Sequence, residues 1–314
     1  MNVPFLPRRI VPLAVFAAVL VVLPLAFPNK FQLSVLILVG INAIVCVGLN
    51  LLVGNTGQIS LGHGAFFGIG AYASALLTAA PGWSPIAALA AGLVVAGGLA
   101  ALVGWPILRL KDNYLAMATL GVGVVVYLVL VHEVGLTGGP DGRPLSSAVV
   151  AGVRLRGEAT WYWIVAGALF LAVWAAENLS ASSWGLALRA VHASEAAAAA
   201  VGIDVRRQKV MVFVVSAMFA SLAGSLYAHA FAFVTPDQSS FLHSVELIVM
   251  IVIGGLGSVY GGIVGAAIVV LLPQVLTVMQ DYEQLLFGLL LMGLAFVMRG
   301  GIVPTLAAAF GGRR

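Results

Sequence analysis

Charge is what this 314-residue sequence has least of: Asp, Glu, Lys and Arg make up 8% of it, against 62% hydrophobic residues. With a mean hydropathy of +1.11, it has too little polar surface to cover a water-soluble domain, so a soluble protein is excluded. Its one cysteine, Cys46, rules out an internal disulfide and a cysteine metal cluster. Set in an apolar run, that thiol reads as a small buried hydrophobe. None of the three lysines, Lys30, Lys111 and Lys209, follows a glycine, so the Gly-x-x-x-x-Gly-Lys-Ser/Thr loop that cradles phosphates is missing. His132-Glu133 has no second histidine one turn on, which leaves a membrane zinc protease unsupported, and no Gly-x-Ser-x-Gly elbow occurs. The net charge of +4 is scattered over the ends of apolar runs and not interleaved with aromatics, which argues against nucleic acid as a partner.

What is present is a succession of apolar blocks, from residue 10 to 27 and then approximately over 31–53, 65–80, 85–108, 113–132, 161–176, 209–232, 243–256, 259–279 and 284–298. At roughly 20 residues per span, they predict an all-α, polytopic protein of about ten transmembrane helices, a single domain over 1–314 embedded in the lipid bilayer. No small-x-small cleavage site follows the first block, so it reads as a retained span and not a secretory signal. With the N-terminus inside, Arg8, Arg9, Arg109, Lys111, Arg189, Arg206, Arg207, Lys209, Arg299, Arg313 and Arg314 fall on the cytoplasmic side, and Lys30, Arg143, Arg154 and Arg156 outside. Basic residues gather on the cytoplasmic face, so eleven against four predicts both termini inside.

The longest polar interval, Glu177 to Lys209, then lies in the cytoplasm. Ser194 stands where an N-cap is wanted, strong helix formers follow Glu195, and Gly202 supplies a stop, which predicts a short helix inside this loop. The external loop from 133 to 160 is expected to form turns at Gly138-Gly139-Pro140-Asp141-Gly142. Two glycine-rich stretches interrupt the spans: Gly54 to Gly70, with Gly57, Gln58, Ser60, Gly62 and His63, and Gly254 to Gly265, with Gly255, Gly257 and Ser258. Irregular backbone is tolerated at membrane depth only where it is buried in protein or lines a cavity. Two readings stand open. One is a translocation path built from broken spans; the other is close packing, because Gly64/Gly68 and Gly257/Gly261/Gly265 are small-xxx-small ridges. Glu246, three residues into a block, either faces such a path or sits at the interface, favoured by the helix dipole. His63 either bonds a solute or is satisfied by nearby backbone.

The motifs and their order resemble one family. Arg189-Ala190-Val191, Glu195-Ala196-Ala197 and Gly202 resemble the "EAA" coupling loop of ABC importer permeases, although Gly202 stands seven residues after the glutamate where the general pattern has six. The run Gly57-Gln58-Ile59-Ser60-Leu61-Gly62-His63-Gly64, with Leu136-Thr137-Gly138-Gly139, Leu222-Ala223-Gly224-Ser225 and Gly254-Gly255-Leu256-Gly257-Ser258, is similar to the M-type permease of the branched-chain amino acid (Liv) importers over nearly the whole chain. The resemblance implies a non-catalytic subunit that moves branched-chain amino acids, or related small solutes such as urea and short amides, across a bacterial inner membrane. It further implies a homologous second permease, two ATP-binding cassette subunits and an external solute-binding protein. ATP and Mg would sit on the ATPase subunits, with no cofactor or metal on this chain, and Arg189, Glu195, Ala196, Ala197 and Gly202 would meet them. An ion-coupled secondary carrier is the rival; it wants ionisable groups in mid-span, and almost none are there.

Overall fold

The computed structural model describes residues 7–27, 29–80, 82–110, 112–145, 148–150, 153–276, 288 and 301–305. The expected tenth span, except for residue 288, lies outside them, together with Lys111, Arg299, Arg313 and Arg314. Among the described residues the structure is α-helical apart from two short 3-10 turns and two-residue strands, and runs as α1 (Pro7–Ala26), α2 (Lys30–Thr56), α3 (His63–Ala79), α4 (Pro85–Ile107), α5 (Asp112–His132), α6 (Val134–Thr137), β1 (Arg143–Pro144), β2 (Val149–Val150), β3 (Val153–Arg154), α7 (Glu158–Ala181), α8 (Ser183–Ala193), α9 (Glu195–Ala200), α10 (Val205–Phe231), β4 (Phe233–Val234), α11 (Phe241–Gly254) and α12 (Val259–Leu276).

Among the described residues, α2, α4, α5, α7 and α10 are each long and apolar enough to cross a membrane. The protein is therefore a multi-pass membrane protein. The blocks at 243–256 and 259–279, expected as two spans, form α11 and α12, which meet at a 119° bend across a short break; α11, with 14 residues, is too short to cross alone at 1.5 Å per residue.

Helix α2 is the axis of the bundle. It is apolar all round and buried on every side from Gly40 to Val53, as expected of a helix enclosed by others; α7, α10 and α12 pack along it. By contrast α4 turns Val94, Leu102 and Trp105 outward, the face a lipid-contacting helix presents. Without a hydrophobic drive between helices in lipid, association relies on small residues and interhelical hydrogen bonds. Both join α3 to α10: a Cβ at Gly224 would stand 1.9 Å from the Phe67 carbonyl oxygen, and the Ser74 and Ser225 hydroxyls lie 2.6 Å apart. The α11–α12 pair uses the same device, since a Cβ at Gly265 would meet the Met250 carbonyl at 1.8 Å.

Contacts sort the loops by end. The ends of α2, α4 and α7, the starts of α5 and α10, and the α11–α12 break gather at the end that carries α8 and α9. At the opposite end β1 pairs antiparallel with β4, Arg143 with Val234, and Arg143 donates to the Leu136 carbonyl at 2.7 Å. The described residues of the 133–160 segment thus include strand pairs and a short helix, beyond the turns expected of it.

Candidate functional site

The loop expected over 177–209 is narrower than its polarity suggested, because α7 continues to Ala181 and α10 begins at Val205. Between them lie two short helices, each opened by a side-chain cap. The Ser182 hydroxyl accepts from the Gly185 N–H at 3.4 Å, and the Ser194 hydroxyl from that of Ala197 at 3.2 Å. Asp204 then caps α10 by accepting from the Arg207 N–H at 3.0 Å. After α9, Gly202 takes φ +87°, and the Gly202 and Ile203 N–H groups donate to the Ala199 and Ala198 carbonyls, both at 3.0 Å. That paired bonding is a Schellman stop, which wants glycine at its left-handed residue.

The loop presents one face and anchors the other. Leu188, Val191 and Ala198 point inward, whereas Ala196 and Ala197 are exposed and Val201 is 76% exposed. Arg189 donates to the Ser180 carbonyl at 2.7 Å, fastening α8 to the end of α7. Glu195 forms an ion pair through Oε1 with Lys209 Nζ on α10; the lysine side chain is 6% exposed and the glutamate 41%. A buried ammonium is tolerated only with such a partner. Glu195 therefore holds α9 to α10, a role its polarity alone did not disclose.

The Gly57–Gly62 segment is an unwound link with Gln58, Ser60 and Gly62 buried in the bundle and Gly57 and Ile59 exposed. The Leu61 N–H donates to Thr119 Oγ1 on α5 at 3.1 Å, and the Gly64 N–H to Ser244 Oγ on α11 at 3.0 Å. His63 is fully buried; its Nδ1 lies 2.9 Å from Ser60 Oγ and its Nε2 2.7 Å from Ser216 Oγ. Ser216 is eleven residues into α10, about 16 Å along its axis, so the link penetrates well beyond the helix ends. His63 is satisfied, by two hydroxyls and not by the backbone expected to do so, and Ser60 serves it. Gln58 differs: it is 4% exposed, neither amide atom has a hydrogen-bond partner among the described residues, and it lines a cavity of about 500 Å³ with Asn113, Leu115, Glu195 and Lys209.

The second interruption is a turn clasped by a side chain. Asn50 Nδ2 donates to the carbonyls of Gly255 and Ser258, at 3.2 and 2.7 Å, and Asn50 Oδ1 accepts from the Gly257 N–H at 2.7 Å. Gly255 and Gly257 take φ of +119° and +80°, conformations that side chains disfavour. A cleft of about 950 Å³ opens beside it, lined by Asn55, Glu177, Arg189 and Ser258. Glu246 stands apart from both interruptions. Its Oε2 lies 3.5 Å from His243 Nδ1, in a cavity of about 360 Å³ with Asn42, Phe67, Tyr227 and Gln238.

The expected path residues thus divide among three places, and Gln58 shares its cavity with Glu195 and Ala196, which were expected to serve coupling. Asn50, Lys209 and Ser216 were given no individual role from the sequence. Asn50 had a signal that it shares with Asn42, an amide deep in an apolar run. Lys209 had a weaker one, since a helix capped at Asp204 carries it more than a turn into a span.

A helical bundle with at least five helices long and apolar enough to cross a membrane defines a polytopic membrane protein. The family model described as "Branched-chain amino acid transport system / permease component" matches residues 31–295, and the chain belongs to that family. It is 30% identical to the high-affinity branched-chain amino acid transport system permease protein LivM of Escherichia coli K12, over 92% of this chain and 74% of that protein. It is 27% identical to LivH of the same organism, over 72% of this chain and 78% of the relative. A probable LivM of Methanocaldococcus jannaschii is 25% identical over 76% of this chain and 78% of its own length. No solved structure matches the chain significantly.

Proposed function

We propose that this chain is the M-type permease subunit of an ATP-driven importer of branched-chain amino acids in a bacterial inner membrane. Membership of the permease family over residues 31–295 carries this reading. The importer comprises a homologous second permease, two ATP-binding cassette subunits that bind ATP and Mg and perform all hydrolysis, and an external solute-binding protein. About ten membrane segments, with α11 and α12 counted as two although α11 does not cross alone, and both termini inside complete the topology. The exposed faces of α8 and α9, with Ala196, Ala197 and Gly202, meet the ATPase; Arg189 and Glu195 hold that surface to α7 and α10. Solute enters by the cavity of Glu246 and leaves past Gly57, Gln58 and Gly62. Ser60 and His63 fix the unwound link, and Gly255, Gly257 and Ser258 form the turn beside the exit.

Ala197→Arg tests the docking face without touching the ion pair. In proteoliposomes with ATP and the binding protein, the unaltered complex takes up leucine, and the variant loses ATPase co-purification and uptake together. Uptake that follows an ion gradient without ATP would point to a secondary carrier, and uptake of urea or acetamide in place of leucine would reassign the substrate.

A further inference from the structure

Between the outer faces of α4 and α10, at the end that carries α8 and α9, runs a groove of about 620 Å³. Its walls are two stripes at helical spacing: Gly98, Leu102 and Trp105 on α4, Arg207 and Met211 on α10. Leu102, Trp105 and Met211 are exposed, and a Cβ at Gly98 would meet nothing within 4 Å, so the groove is open to the bilayer, whose tails are as apolar as leucine. Charge gathers at its mouth. Arg206 lays its guanidinium over Trp105, with Cζ 3.9 Å from the ring centre, and donates through Nε and Nη2 to the Trp105 carbonyl at 3.2 and 2.7 Å. That carbonyl is free to accept because the Arg109 N–H, which would close the next helical bond, turns to Pro106 instead. Arg206 is thereby engaged, and it pins the start of α10 to the end of α4. Arg207 on the groove wall and Arg109, whose charge reaches Arg206, are exposed. Neither side chain donates a hydrogen bond or forms an ion pair among the described residues. Asp204 offsets one of the three charges and is occupied in capping α10 through the Arg207 N–H.

We propose that this groove binds one anionic phospholipid of the leaflet on the α9 side. The headgroup phosphate accepts from Arg207 and Arg109, whose planar donor forks suit phosphate oxygens. One acyl chain lies along Gly98, Leu102 and Met211, and Trp105 stands where headgroup and chain meet, the depth at which tryptophans collect in membranes. The occupant follows from the two features together. A soluble anion would use the arginines and leave the apolar wall bare; a zwitterionic lipid would cover the wall but bring its own cation to the arginines. That the leaflet is the cytoplasmic one rests on the topology proposed above, and anionic lipid attracts basic residues at that face. Bound there, the lipid joins the end of α4 to the start of α10, beside the short helices α8 and α9.

The test places the full complex in phosphatidylcholine nanodiscs in which a rising fraction of the lipid carries brominated acyl chains, which quench the tryptophans they touch. Each protein is compared with its own Trp105→Phe counterpart, and the difference isolates Trp105. Brominated phosphatidylglycerol is expected to reach half-maximal quenching at about one-tenth of the mole fraction that brominated phosphatidylcholine needs, the scale of two arginines on one anionic headgroup. Arg109→Gln combined with Arg207→Gln should bring the two half-points together, with thermal stability retained because neither side chain holds another group. Gly98→Leu should do the same by filling the groove, since a side chain there meets open space and leucine is the better helix former. Equal half-points in the unaltered complex, or a preference for phosphatidylglycerol that survives either change, overturns the proposal. So does a Trp105 that neither lipid quenches, which would mean that a protein subunit covers this face. Leucine uptake is not measured here, so the lipid site and the importer can each fail while the other stands.

Discussion

Lys209 and Glu195 show how a single contact changes the meaning of a motif residue. With the glutamate removed, a nearly buried ammonium loses its partner. Glu195→Gln is therefore expected to lower stability by about 1–2 kcal/mol, a figure kept small because the glutamate is partly exposed. Adding Lys209→Met should recover most of that loss, since a buried charge no longer has to be desolvated. Thermal unfolding of the four members of this double-mutant cycle checks it, and strictly additive losses would show that the pair contributes nothing. The same measurement separates two neighbours that read alike in the sequence. Ser60→Ala takes a partner from buried His63 and should cost about 1–2 kcal/mol, whereas Gln58→Leu should cost nothing. Sequence marked both only as polar residues among glycines; Ser60 is satisfied by His63, whose other ring nitrogen is held by Ser216, distant in sequence.

At the scale of elements, long apolar runs were legible because a membrane-spanning helix leaves a composition signal about 20 residues long. Breaks within runs were legible too, at Gly57 and at Gly255 to Gly257. The role of each break was not, because a glycine serves a turn and a close contact with the same absence of side chain. The structure divides them: Gly261 and Gly265 pack against α11, while Gly255 and Gly257 turn the chain. What holds that turn is a side chain some 200 residues away. Asn50→Leu removes three hydrogen bonds and should destabilise the protein by roughly 2–4 kcal/mol. Protease cleavage at 255–258 should then become faster, and cleavage at the unaltered rate would mean that the glycines alone set the turn. The ends of the polar loop were misplaced for a simpler reason: Glu177 and Arg206 are polar yet helical, and polarity does not mark a helix end without its cap.

For the whole molecule, the ends of the bundle are fixed relative to one another, and the side of the membrane each faces is open to a direct measurement. Asp141 and Ser183 are exposed at opposite ends. In a Cys46→Ser background, single cysteines at these positions should be labelled by an impermeant thiol reagent from opposite faces, Asp141→Cys from outside. Labelling of both from one face would require a different threading. Cys46 is fully buried, with its sulfur 3.7 Å from that of Met250, so removing it costs a small packing contact and no reactive group.

The fastening of α9 has a mechanical consequence. It joins α10 twice, through the capped turn at 201–204 and through the Glu195–Lys209 pair, and a part bolted at two points cannot swivel on one. Any push on α9 is therefore delivered to α10 as a torque on a stiff rod. That rod is 27 residues long, about 40 Å at the helical rise, and its far end runs into the strand pair of Val234 with Arg143. A small tilt imposed at one mouth of the bundle must appear as displacement at the other.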